Sequence, residues 1–142
     1  MRFDNENKIK DLYTDCVKKY FTQYTLKTPK FQATQKFDKL ALIECLSVDD
    51  VTIQMSSLFD LEDKMAVNIM SHEIVHYILF SQGYKKWNKH DDKFMEIAGQ
   101  LNATYGLNVS NSKNVLPTRQ GTISFTLPIQ KLAKKVKNLF AN

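Results

Sequence analysis

The sequence predicts a fold of the α+β class. Apolar residues recur at helical spacing from Asn5 to Tyr24, alternate with polar residues in short segments between Phe31 and Ser56, and return to helical spacing between Asp60 and Gly106. A helix, a small sheet and two further helices are therefore expected in that order, before a C-terminal strand and a last helix.

The composition is that of a globular domain. The chain has 142 residues, of which 43% are hydrophobic and 25% charged, and its formal net charge is +5. We expect one domain over residues 1–142, with a core at about 5–107 and a C-terminal extension at about 115–142. No apolar run approaches the roughly 20 residues that span a bilayer, so no membrane partner is expected.

The cysteines and the N-terminus bear on the compartment. Cys16 and Cys45 lie far apart and outside any C-x-x-C pattern, which favours buried free thiols in a reducing compartment over a disulfide. The first residues are polar and include acids, unlike a secretory signal. We therefore expect a cytoplasmic protein, and its moderately basic charge is consistent with an acidic partner such as nucleic acid.

The opening helix is amphipathic, and its aromatic-rich apolar stripe is explained better by core packing than by a binding face. Thr28-Pro29 breaks the helical pattern. Three strands are predicted after it, at Phe31–Lys36, Leu40–Ser47 and Val51–Ser56. Their short connections favour an antiparallel meander.

A central helix is predicted from Asp60, as the N-cap, to about Ser81, and Gly83 ends it. The helix is apolar on most sides, which indicates burial at the centre of the domain. A polar loop follows. The next helix is predicted from about Asp91 to Gly106, with acidic residues in its first turn.

The C-terminal part begins with an Asn/Ser-rich stretch at 108–114, which predicts a loop. Gly121–Leu127 alternates and predicts another strand, and Pro128 begins a last amphipathic helix. Four lysines oppose its apolar face: Lys131, Lys134, Lys135 and Lys137. They are candidates for contact with DNA or a membrane surface, although a docked helix with a solvated lysine face is the commoner case.

The central helix carries a metal-site motif. His72-Glu73-Ile74-Val75-His76 is an H-E-x-x-H sequence, and His90 is the only other histidine of the chain. Residues i and i+4 share one helix face, so His72 and His76 can bind one cation while Glu73 acts as a base without being a ligand. Titratable residues on a buried apolar helix are costly unless they share a partner, which a metal provides. Three imidazoles with an open position favour Zn²⁺, with Mn, Co or Ni as alternatives.

The third ligand is predicted to be His90, because imidazole is a common zinc ligand and nothing else explains its position. Glu96, on the following helix, is the alternative. A metzincin site is excluded, because Gln82 stands where that site needs its third histidine. Core histidines satisfied by neighbouring groups are the alternative without a metal.

Asp91 and Asp92 are candidates for orienting an imidazole, although helix capping is favoured.

The loop between the second and third histidines is basic, and carries Lys85, Lys86, Trp87 and Lys89. Lysines with an aromatic side chain suit contact with nucleic acid or substrate at the rim of the site. A solvated loop anchored by its tryptophan is an equally favoured interpretation. For stabilising an oxyanion the candidates are Tyr77, Tyr84 and Tyr105, and none stands out.

The stretch from about Thr52 to Leu107 resembles the SprT-like family of zinc metallopeptidase domains, which includes the Spartan-type proteases. The resemblance rests on a strand leading into M-S-S-L-F-D, on the helix with S-H-E-I-V-H, and on the H-x-x-x-F pattern at His90–Phe94. The opening helix and the meander also fit, so the similarity covers most of residues 5–107.

This resemblance implies a zincin-like fold in which the motif helix packs under a small sheet. It implies His72, His76 and His90 as zinc ligands, Glu73 as the catalytic base, and a protein or peptide substrate associated with DNA. Two features depart from the family: Asp91 stands where relatives often have glycine, and no zinc ribbon follows the core.

The sequence therefore predicts a zinc-dependent endopeptidase, with DNA as a candidate partner and no prediction of oligomeric state. Glu73 would take a proton from the attacking water and deliver it to the departing amine. The alternative is a non-catalytic module of the same fold, which holds a structural metal and binds nucleic acid or a protein partner. The intact Glu73 favours the enzyme, since a structural site has no use for that carboxylate.

Overall fold

The computed structural model describes residues 1–36, 38–110 and 123–125. Its elements are α1 (Glu6–Tyr20), β1 (Lys30–Thr34), β2 (Ala41–Ser47), β3 (Asp50–Ser56), β4 (Phe59–Leu61), α2 (Asp63–Ser81), α3 (Asp92–Tyr105) and β5 (Ile123–Phe125). The predicted α+β class is confirmed, with an N-terminal helix, a three-stranded sheet and two helices. The predicted last helix from Pro128, with its four lysines, lies outside the described residues.

The three-stranded sheet is mixed, so the predicted antiparallel meander is wrong. Its strand order is β1-β3-β2, with β2 antiparallel to β3 and β1 parallel to it. The hairpin between β2 and β3 is as predicted. The central strand, β3, is also the one with the most buried face: its Val51, Ile53 and Met55 are each at most 3% exposed. Alternation predicts strands and their buried faces, but it leaves their order open.

One face of this sheet is buried and the other meets solvent, as is common for small sheets with antiparallel pairing. On the buried face Ile43, Ile53 and Met55 join the core with α1 and α2. On the other face Gln54 donates a hydrogen bond to Gln32 across β3 and β1 (3.1 Å). The sheet therefore supports the helices from one side only.

Helix α1 begins after Asn5, whose side chain accepts a hydrogen bond from the Lys8 amide (3.1 Å). It ends at Tyr20, before the predicted limit of Tyr24. Its apolar stripe is core, as predicted: Ile9, Leu12, Tyr13 and Cys16 are buried. Cys16 and Cys45 are both free thiols, and Cys45 is only partly buried.

Helix α2 begins at Asp63, so the predicted N-cap at Asp60 is wrong. Asp60 instead lies in β4, which pairs antiparallel with β5, and its carboxylate binds the N-terminal ammonium (2.7 Å). The end of α2 at Ser81 is as predicted, and Gly83 has a left-handed φ of 76°. Within the described ranges, no helix combines the length and apolarity that a membrane span requires.

Helix α3 matches its predicted range. The Asp91 carboxylate caps it by accepting a hydrogen bond from the Phe94 amide (3.3 Å). Gly106 ends it in the left-handed conformation, with φ 69°. Its buried side chains, Phe94, Ala98 and Leu101, pack toward α2. The start of α3 is thereby brought against the middle of α2.

Candidate metal centre

Three histidine side chains converge where the start of α3 meets α2. The Nε2 atoms of His72 and His76 are 3.2 Å apart, those of His76 and His90 3.2 Å, and those of His90 and His72 3.0 Å. Among the residues that the structure describes, this is the group of side chains that can hold a metal ion.

The spacing of these nitrogens fits a tetrahedral metal site. Metal–nitrogen bonds of about 2.0–2.1 Å place two ligand nitrogens about 3.3 Å apart. The observed distances of 3.0–3.2 Å are close to that value. A cation held here by three imidazoles would keep one position open for water or a substrate oxygen.

Backbone carbonyls fix the orientation of two of the imidazoles. The Nδ1 atom of His72 lies 3.1 Å from the Ser110 carbonyl oxygen, and Nδ1 of His76 lies 2.7 Å from the Trp87 carbonyl oxygen. A carbonyl oxygen only accepts, so these partners assign the proton to Nδ1 in both rings. Each Nε2 then presents a lone pair to the cluster, which is the form that binds a metal.

Burial keeps the three histidines neutral. It lowers the pKa of His72 to about 3, with the neighbouring His76 and His90 adding to the effect. It lowers the pKa of His76 to about 4, partly opposed by the Trp87 carbonyl, and it also lowers the pKa of His90. At neutral pH no proton has to leave before a cation binds.

Phe94 forms an apolar wall beside the cluster. Its ring centroid lies 4.8 Å from His72, 4.8 Å from His76 and 5.1 Å from His90, and the side chain is fully buried. One aromatic ring thus contacts all three imidazoles and restricts their rotation. The sequence predicts Phe94 as the last residue of the H-x-x-x-F pattern and as part of the apolar face of α3, but not its contact with the three imidazoles.

Glu73 lies on α2 directly after His72 and is 8% exposed. The backbone of Ile43 on β2 lies close enough to the carboxylate to favour its charged form. Burial raises the pKa of Glu73 to about 7, although the Lys39 charge and the Ile43 backbone act in the opposite direction. Glu73 does not belong to the cluster of three ligand atoms. A carboxyl group poised near neutral pH can accept a proton and return it.

The other acidic candidates lie outside the cluster. Glu96 is exposed on α3 and is not part of the ligand group. Asp91 caps α3 and also accepts a hydrogen bond from the Tyr84 hydroxyl (2.5 Å), so capping explains its place. Asp92 is exposed in the first turn of α3.

The candidate tyrosines have other contacts. The Tyr77 hydroxyl donates to the Lys27 carbonyl oxygen (2.8 Å), and the Tyr84 hydroxyl donates to Asp91. Tyr105 is 43% exposed and stacks edge-on against Tyr20 at 5.1 Å. The phenols of Tyr77 and Tyr84 are therefore engaged in holding loops.

The basic loop is anchored by its tryptophan. Trp87 is half-buried, packs edge-on against Phe80 at 5.3 Å, and lies 6.5 Å from the His76 ring. Its carbonyl accepts a hydrogen bond from His76, so the loop is also part of the candidate metal centre. Lys85, Lys86 and Lys89 are exposed on it.

Comparison with known proteins gives one match. A sequence model of the SprT-like family matches residues 9–115, a range that includes the three histidines and Glu73. No curated protein and no solved structure matches the chain at a significant level.

Proposed function

The chain belongs to the SprT-like family, and on that premise we propose that it is a zinc-dependent endopeptidase with Glu73 as its general base. One observation carries the proposal. Three imidazoles, kept neutral by burial, present their Nε2 atoms to one another at 3.0–3.2 Å, and the next residue after the first of them is a buried carboxyl group.

Zinc is the metal that this donor set suits best. Three imidazole nitrogens with one open corner are typical of catalytic zinc, whereas Mg²⁺ and Ca²⁺ prefer oxygen ligands. When bound at His72, His76 and His90, zinc supplies a Lewis acid for the scissile carbonyl and lowers the pKa of water.

Glu73 moves the protons of the reaction. Its carboxylate accepts a proton from the attacking water as the bond from the water oxygen to the peptide carbon forms. It then delivers that proton to the departing amine nitrogen as the carbon–nitrogen bond breaks. A group whose pKa is raised to about 7 is suited to both steps, because neither form is strongly favoured at neutral pH.

An extended peptide is the substrate class that the neighbouring strand supports. β2 is an edge strand of the three-stranded sheet in the described part of the chain. β2 contacts α2, and the Ile43 backbone lies near enough to Glu73 to lower its pKa, so this strand runs beside the general base. A peptide can add to such an edge as a further strand, using main-chain hydrogen bonds that do not depend on sequence.

Proteins associated with DNA are the substrates we propose within that class. The exposed Lys85, Lys86 and Lys89 lie between the second and third histidines, so a phosphate backbone at this rim would be near the metal centre. Trp87 is anchored against Phe80, which leaves the lysines as the main contribution of this loop.

The test begins with metal content of the purified chain beside His90→Ala and Glu96→Ala. We expect about one zinc per chain in the wild type and in Glu96→Ala, and little in His90→Ala. Of the two residues that are changed, His90 belongs to the ligand cluster and Glu96 does not. A wild-type chain that contains no metal, and takes up none when zinc is supplied, would overturn the proposal.

Proteolysis is then measured on an unfolded protein substrate, with and without DNA. Glu73→Gln keeps the size of the side chain and leaves the three ligands intact. We expect it to retain zinc and to lose about 10²–10⁴-fold in kcat/KM. If the zinc-loaded wild type and Glu73→Gln are equally inactive under every condition, the metal is structural and the chain is a binding module.

A further inference from the structure

The chain after α3 returns to α2 and takes part in the metal centre. The Ser110 carbonyl accepts the hydrogen bond from His72 Nδ1 (3.1 Å). The position of a backbone carbonyl depends on how the neighbouring backbone is held. Here the side chains of Asn102 and Asn68 hold the two residues before Ser110.

Asn102 holds the segment from α3. Its amide nitrogen donates to the Val109 carbonyl oxygen (2.8 Å), and its amide oxygen accepts from the Val109 N–H (2.8 Å). The side chain thus pairs with both backbone groups of one residue, as a neighbouring strand would. Val109 itself is 2% exposed, so the segment is also fixed by burial of an apolar side chain.

Asn68 holds the same segment from α2. Its side-chain oxygen accepts from the Asn108 N–H (2.9 Å). Asn68 and His72 are four residues apart, so they share one face of α2 with a rise of about 6 Å between them. Asn108 and Ser110 are two residues apart, which corresponds to about 6.6 Å of extended chain. The matched spacing lets 108–110 run along α2 and meet both side chains.

We propose that Asn102 is a positioning residue of the metal centre. Its two hydrogen bonds fix Val109, the next residue presents its carbonyl to His72 Nδ1–H, and His72 Nε2 is thereby directed at the cation. The clamp formed by Asn102 and Asn68 makes 108–110 part of the site. This inference rests on the metal centre of the proposed function, and adds residues that the H-E-x-x-H motif does not contain.

Zinc affinity of the full-length chain tests the clamp, measured by competition with a chromophoric chelator. We expect Asn102→Ala to bind zinc about 10–100-fold more weakly, the usual cost of removing a group that orients a ligand. Asn102→Asp keeps an acceptor for the Val109 N–H but loses the donor to its carbonyl, so an intermediate loss is expected. Gln100→Ala is the matched control, because Gln100 is an exposed amide on the same helix.

The tautomer of His72 gives a readout that general destabilisation does not move. Nitrogen-15 NMR of the metal-free chain distinguishes an Nδ1–H ring from an Nε2–H ring. We expect His72 to be Nδ1–H in the wild type and in Gln100→Ala, and a mixture of both forms in Asn102→Ala. His76, held by Trp87, serves as the internal reference and stays Nδ1–H.

Unchanged zinc affinity in Asn102→Ala would overturn the inference, and so would weaker binding with an unchanged His72 tautomer. If Asn102→Ala does not fold, Asn68→Ala decides, since it removes one hydrogen bond to the same segment. A drop in affinity with the same tautomer shift supports the clamp, and no change refutes it. The NMR comparison needs no metal. If the wild type binds no zinc, the proposed function fails, but the His72 tautomer still shows whether the clamp orients that imidazole.

Discussion

At the scale of single residues, the ring nitrogens of the cluster are arranged differently from those of ordinary core histidines, and in a way that can hold a metal ion. A buried histidine in a core is satisfied when each ring nitrogen has its own partner. His72 and His76 use Nδ1 in that way, but their Nε2 atoms face each other and His90 Nε2 at 3.0–3.2 Å. With their protons on Nδ1, His72 and His76 direct two Nε2 lone pairs at each other across 3.2 Å, and a shared cation would remove that repulsion.

Replacing Phe94 is predicted to affect both the stability of the chain and the zinc affinity of the cluster. Because its buried ring contacts all three imidazoles, Phe94→Ala removes the wall that limits their rotation. We expect a loss of about 3–5 kcal/mol in the free energy of unfolding, as for other buried phenylalanines. Phe94→Leu should lose less stability, yet still bind zinc more weakly than wild type. Chemical denaturation of the metal-free chain and chelator competition measure the two effects.

Met95→Ala is the control for Phe94, because Met95 is the next residue on α3 and is only partly buried. We expect it to change zinc affinity little. If Phe94→Leu binds zinc as tightly as the wild type, the ring is core filling alone and does not position the imidazoles.

At the scale of elements, the glycine inside α3 and the glycine that ends it should change stability in opposite directions when replaced by alanine. Gly106 ends the helix at φ 69°, where a side chain costs about 1–2 kcal/mol. Gly99 lies inside the helix, and a Cβ there meets nothing within 4 Å. Gly99→Ala should therefore stabilise the chain by about 0.5–1 kcal/mol, and Gly106→Ala should destabilise it. Thermal and urea unfolding of the two variants give the comparison, and a destabilising Gly99→Ala would contradict it.

Local signals explain which elements could be predicted from the sequence. Asp91 and Gly106 fix the ends of α3 through their own backbone and side-chain hydrogen bonds, so its range was predicted correctly. The parallel pairing of β1 with β3 depends on residues distant in the chain, and local alternation does not predict it. The N-cap prediction at Asp60 is wrong for the same reason, because β5, from a remote part of the chain, pairs with β4, the strand that contains Asp60.

At the scale of the whole molecule, the candidate site also contains some groups that the sequence predicts and others that depend on the fold. His72, Glu73 and His76 are one helical turn, so their chemistry is visible as a motif, and His90 lies close enough in sequence to be suspected. The carbonyls of Trp87 and Ser110, which orient two of the imidazoles, reach the site only through the paths of two loops. No residue type marks them, so they became visible only in the folded chain.

The charge of the molecule is unevenly distributed along the chain. Residues 1–110 contain 14 Lys and Arg against 15 Asp and Glu, whereas residues 111–142 contain six Lys and Arg and no acid. The net charge of +5 therefore comes from the last part of the sequence. Any sequence-independent attraction to phosphate is expected to depend on that part more than on the loop with Lys85, Lys86 and Lys89.

We therefore expect the full-length chain to bind duplex DNA in a strongly salt-dependent manner. Changing Lys131, Lys134, Lys135 and Lys137 to Gln should reduce the slope of log K against log salt by up to about 3.6, since each phosphate contact contributes about 0.9. Changing Lys85, Lys86 and Lys89 to Gln should reduce it less. Fluorescence anisotropy with a labelled duplex at several salt concentrations measures both. If the change at Lys85, Lys86 and Lys89 reduces the slope more than the change in the last part of the sequence, DNA binds at the rim of the candidate metal centre. If the chain binds no DNA even at low salt, DNA is not among its partners.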